Sequence, residues 1–186
     1  MITMTGSERY LGGKLLIAMP DMADPRFRRS VIYMLAHTDQ EAMGIVVNKI
    51  AGSISQTGGS DDEKRLTLPL HDGGPVDPEQ VIVIHSGDGS EYPSTHVVAD
   101  NFCVTATPDI IDDLSKGEGP QDRIIVVSYA GWAAGQLEGE LERHAWLVCD
   151  ATSELVFRTA PQSMWDAAIK SLGISAGMLA AGGGTA

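Results

Sequence analysis

The chain reads as an α+β domain with a mixed, largely antiparallel sheet flanked by helices. Two observations predict this class. Runs rich in β-branched residues and bounded by turn signals outnumber helical periods, and most of them come ahead of the helices instead of alternating with them. No repeat and no Pro/Gly/Ser linker divides the 186 residues, and that length suits one core.

The strand-type runs lie at 14–19, 30–37, 43–48, 80–86, 95–98, 102–106, 122–129 and 145–150. The runs 30–37 and 43–48, joined by a short loop around Glu41, predict an antiparallel hairpin. Between the first two runs, two prolines bracket Pro20-Asp21-Met22-Ala23-Asp24-Pro25, a turn that tightens into one helical turn at 25–28. Residues 51–65 (AGSISQTGGSDDEKR) have no apolar period and read as an exposed loop, either a surface insertion or a lid.

Three helices follow. Thr107-Pro108-Asp109 opens one that ends near Ser115, before Gly117. A second spans 133–142, with Leu137 and Leu141 on one face. The third covers 161–171, with Trp165, Ala168, Ile169 and Leu172 at core spacing and Gly173 closing it. A single domain over 1–173 is expected. Residues 174–186 offer little to pack and read as a flexible tail.

Composition limits the function classes. The formal net charge of −12 repels nucleic-acid phosphates and anionic membranes. Residues 1–30 nevertheless carry five cations against three acids, so Arg26, Arg28 and Arg29 are kept as a weak nucleic-acid alternative beside the plainer reading of a solvated loop. Cys103 and Cys149 sit far apart in apolar runs and read as buried filler. There is no basic n-region followed by an apolar h-region, and no bilayer-length apolar run. The expectation is a cytoplasmic protein with no membrane role.

Common catalytic signatures are missing: no G-x-S-x-G elbow, no phosphate-binding P-loop, no dinucleotide glycine fingerprint and no zinc spacing. No cofactor and no metal are therefore expected. Histidines 37, 71, 85, 96 and 144 each titrate near neutrality in principle, but none lies at helical i, i+4 spacing from another. A dispersed hydrolase or transferase site would draw on His37, His85 and Asp88 or Asp24. The Gly87-Asp88-Gly89 stretch also reads simply as a turn.

The distinctive residues instead build shape. Gly73-Gly74-Pro75 permits an unusual backbone path ahead of a buried strand. Tyr129-Ala130-Gly131-Trp132 through Gln136-Leu137-Glu138 runs from strand into helix, where a helix N-terminus could receive an anion, Trp132 form a wall and Gln136 supply a directed amide. Glutamates 138, 140 and 142 make that end electronegative, and a structural corner is the plainer reading.

Several ordered blocks resemble the AlgH/YqgE family of small bacterial proteins: Gly13 to Pro20, Asp24-Pro25 with Phe27, Ser30 to Tyr33, His37, Gly44 to Asn48, Gly73-Gly74-Pro75-Val76, and Tyr129 to Trp132 with Gly135 to Glu138. Trp146 and Phe157 fit as well. The resemblance spans residues 11–173. It implies a bifurcated, partly barrel-like sheet with surrounding helices, no settled reaction and no cofactor. A proposed regulatory role attaches to the family, although no DNA-binding helix is recognisable here. Three positions depart from the family pattern. Lys49-Ile50 stands in place of Arg-Pro after Asn48, and Ser128 replaces a glycine before Tyr129.

The leading reading is a non-enzymatic binding or regulatory module for a protein or small-molecule partner. Its candidate residues are Asp24, Pro25, Phe27, Arg29, Asn48, Gly73, Gly74, Pro75, His85, Gly131, Trp132 and Gln136. The site is expected where the 24–30 turn and the two glycine corners meet.

Overall fold

The computed structural model describes residues 10–55, 67–87 and 91–181. Ten strands form one branched sheet: β1 Lys14–Ala18, β2 Val31–His37, β3 Glu41–Val46, β4 Ile50–Ser55, β5 Thr67–Asp72, β6 Val76–His85, β7 His96–Ala99, β8 Phe102–Thr105, β9 Arg123–Ala133 and β10 Trp146–Asp150. The main path runs β10-β1-β2-β3-β9-β6-β8-β7 and curls into a half-barrel. All its pairings are antiparallel, and the β2–β3 hairpin is among them. The α-helices are α1 Pro108–Ser115, α2 Gln136–Glu142, α3 Pro161–Ser171 and α4 Ala176–Ala181. The fold is α+β.

The branch point is β9. The edge of β9 facing away from β6 serves two partners in turn. Residues 125–127 pair with β5 in parallel, and residues 130–133 pair with β3. Gly73 sits in the crotch of this fork, donating its N–H to the Val127 carbonyl at 2.8 Å and accepting from the Val46 N–H at 2.9 Å. A Cβ there would lie 2.4 Å from the Ser128 oxygen. Gly74, at φ +148°, is tighter still, with a Cβ landing 2.3 Å from the Tyr129 oxygen. The pair of glycines is what lets β5 leave β9 as β3 arrives. Where β9 changes partner, Ser128 adopts φ +69°, a left-handed backbone that glycine takes without steric cost. This is a physical reason for a glycine at that position in the family pattern.

Leu15, Leu16, Ile17 and Ala18 are all buried, so both faces of the sheet are covered. One face carries Leu15, Ile17, Val31, Tyr33 and Ile45 against α3, whose Trp165 donates its indole N–H to the Ala18 carbonyl at 2.8 Å. The other carries Leu16, Ile32, Met34 and Val46 against Trp132, Leu137 of α2 and Trp146. Cys103 and Cys149 are buried and form no disulfide.

Three expectations are corrected. Residues 51–55 are not loop: with Ile50 they form β4, an exposed edge strand paired to β5, while 56–65 fall outside the described residues. The 133–142 helix begins only at Gln136, because pairing to β3 holds Ala130–Ala133 in the strand and Gly135 at φ +72° makes the turn. The tail is not idle through 181: Ile174, Ala176 and Leu179 pack on the core, and α4 forms there. Residues 182–186 lie outside the described residues.

Candidate functional site

Three chain segments close on one cleft of about 310 Å³. The first is the turn after β1. Asp24 caps a 3-10 turn at Pro25–Phe27 by accepting the Arg26 N–H at 3.0 Å, with Pro25 exposed in its first position. The same carboxylate takes the Arg26 guanidinium, Nη2 to Oδ2 at 2.7 Å. That hydrogen-bonded guanidinium holds the Asp24 carboxyl below its ordinary range. Phe27 points inward and meets Trp146 edge to face at 5.8 Å.

The second segment is Pro75, placed by the glycine fork. The third is the β9–α2 corner, where Gly131, Trp132, Gln136, Glu140 and Arg143 line the cleft, and Trp146 at the head of β10 closes it. Trp132 and Trp146 meet edge to face at 6.3 Å. Glu140 fixes them: its Oε2 accepts both indole N–H groups, from Trp132 at 2.9 Å and Trp146 at 2.8 Å. Its Oε1 accepts the Gln136 amide at 3.1 Å, and Gln136 Oε1 in turn accepts the Ala133 N–H. Two buried indoles thus have partners and a fixed orientation.

A second chamber of about 170 Å³ shares Arg26, Phe27 and Pro75 with the first. It adds Asp72, Gly74 and Lys49, whose ammonium donates to the Arg26 carbonyl. Burial pushes the Lys49 ammonium below its ordinary pKa, against the opposing pull of Asp72 and Asp24.

Asp24, Phe27, Gly74, Pro75, Gly131, Trp132 and Gln136 therefore converge, with Gly73 as their support. Four candidate residues do not join them, the first being Pro25, which starts the turn but is absent from the lining of either chamber. Arg29 lies over the Trp165 ring at 4.1 Å and pairs with Asp166 at 2.7 Å, on α3. Asn48 spends its amide on main chain, accepting from the Val31 N–H and donating to the Arg29 carbonyl, both at 2.8 Å. His85 is buried opposite Arg123, eight residues or roughly 26 Å of strand path from Gly131. Its Nδ1–H donates to the Ser86 carbonyl and its Nε2 accepts from Thr105, both at 2.9 Å.

The dispersed His/Asp set does not assemble among the described residues. His37 Nδ1 accepts the Leu11 N–H, so its Nε2–H faces Glu138 at 2.9 Å. His37, His85 and Asp24 thus sit in three networks with no shared partner, and Asp88 lies outside the described residues. In the basic turn, Arg26 and Arg29 are both engaged in ion pairs. Nor is the α2 N-terminus a free anion site: Ala133 N–H is already taken and the helix has seven residues. Reading the sequence missed Glu140, Arg143, Lys49 and the cleft role of Trp146. Glu140 in particular hides within a run of three alternating glutamates.

Comparison with known proteins agrees with this architecture. A family model described as AlgH-like matches residues 15–177. A UPF0301 protein of Methylobacterium nodulans is 41% identical over 95% of this chain and 90% of its own length. Another, from Rhodopseudomonas palustris, is 43% identical over 95% and 87%. The solution structure of the AlgH protein from Pseudomonas aeruginosa superposes with a TM-score of 0.74 at 32% identity, covering 100% of both chains. A crystal structure from Corynebacterium diphtheriae, at 17% identity, shares the fold with a TM-score of 0.72 over 91% of each chain. With a glycine fork, a branched half-barrel and full-length matches of this kind, the chain belongs to the AlgH-like, UPF0301 family.

Proposed function

We propose that this protein is a non-enzymatic ligand-binding module of regulatory character, acting in the cytoplasm through the Phe27/Trp132/Trp146 cleft. One observation carries the reading. Segments more than a hundred residues apart supply rigid aromatic walls to a single concavity, and its volume lies at the lower end of small-molecule sites. The polar groups favour binding over proton transfer. The Glu140 carboxylate is held by three donors and Asp24 by its arginine, so neither is poised as a general base. No helix among the described residues is long and apolar enough to cross a membrane.

A library of small organic acids, amides and amines, screened by saturation-transfer NMR, tests the reading. Binders should appear at up to millimolar concentration and lose their signal in Phe27→Ala, a change on a half-exposed turn. An empty screen, or binders indifferent to Phe27→Ala, would refute it.

A further inference from the structure

Resting on that reading of the cleft, we infer that its ligand is a small carboxylate with a flat apolar body, the carboxylate held by Arg143. The assignment follows from which hydrogen-bonding groups of the cleft are already spent. Asp24 accepts the Arg26 main-chain N–H and both Nε and Nη2 of its guanidinium, at 2.7–3.1 Å. Glu140 accepts two indoles and an amide. A cationic ligand would find Asp24 already paired with Arg26 and Glu140 already accepting three donors. Its approach to the Phe27 face is also contested, because the Arg26 guanidinium already stands 5.8 Å from that ring centre.

Arg143 is the exception. It lies on the cleft wall at the end of α2, and among the described residues its guanidinium enters no ion pair and no side-chain hydrogen bond. Five N–H donors in a planar fork are therefore unspent on the wall of a cleft that Phe27, Trp132 and Trp146 also line. Phe27, half-buried, and the nearly buried Trp132 and Trp146, set edge to face, make the cleft wall apolar and favour an apolar body. A carboxylate fits better than a phosphate. A single guanidinium satisfies both oxygens of a carboxylate but leaves a third oxygen of a phosphate without a donor, and a net charge of −12 penalises a dianion more than a monoanion.

Isothermal titration of the intact protein with four ligands sharing one indole body tests this: indole-3-acetate, indole-3-acetamide, tryptamine and indoxyl phosphate. The acetate should bind about ten-fold more tightly than the amide, as for a charge-assisted hydrogen-bond pair. Arg143→Gln should raise the acetate Kd to that of the amide, and Arg143→Lys should keep part of the preference. Equal affinities, tighter binding of tryptamine or the phosphate, or a preference surviving Arg143→Gln would overturn the carboxylate assignment while leaving an aromatic binding cleft in place. Failure of all four also overturns it, whereas the cleft itself falls only if the wider library is empty too.

Discussion

Glu140 is the residue on which the cleft's shape depends, because one carboxylate oxygen orients two indoles. In Glu140→Ala both N–H groups lose their partner at nearly buried positions. Each orphaned donor costs about 1–3 kcal/mol, so urea denaturation should show a loss of roughly 2–6 kcal/mol. Glu140→Gln keeps an acceptor oxygen and should lose less than half of that; equal stability of the alanine variant and the parent would contradict the role. Sequence spacing could not reveal this link, since Trp132 lies eight positions before Glu140 and Trp146 six after, on different elements. Gly131, Trp132 and Gln136 were legible because a strand-to-helix corner can be read locally. Arg29, Asn48 and His85 misled for the opposite reason. Their polar groups are satisfied by segments far along the chain, and residue type alone cannot tell a ligand contact from a main-chain clamp.

At the scale of elements, the glycine fork sets the cleft's second wall. A side chain on Gly74 would collide with the main chain of Tyr129, which is held in the sheet by its pairing with Val76 of β6. Gly74→Ala should therefore cost at least about 3 kcal/mol, a drop of roughly 6–12 °C in thermal midpoint for a chain of this size. An unchanged midpoint would refute the fork's tightness. The long apolar runs announced β1, β2, β6 and β9 because both faces of those strands are buried. β4 gave no such signal: it is an exposed edge of small residues, and its partner β5 supplies its order. Ala133, the last residue of β9, reads as helix because propensity does not register its pairing with β3.

For the whole molecule, two covered faces on one branched sheet explain both the stability and its pH dependence. His71 is buried beside the fork, donating Nδ1–H to the Val47 carbonyl at 2.9 Å. Burial lowers its pKa below the ordinary 6.5, outweighing that hydrogen bond. Its folded form thus binds a proton less readily than its unfolded form. Its contribution is fully present above about pH 6.5 and declines as the pH falls through the lowered value. Stability measured between pH 7.5 and 5 should fall, and His71→Asn should flatten the slope; an unaltered slope would show that other groups cause it. The central claim, that this fold holds a ligand in its aromatic cleft, has an internal control, because the third tryptophan, Trp165, is buried on the opposite face of the sheet. In a two-dimensional 1H–15N titration with the tightest binder from the small-molecule library, the indole resonances of Trp132 and Trp146 should shift and saturate together while that of Trp165 stays in place. Three unmoved resonances, or movement of Trp165 alone, would contradict the account.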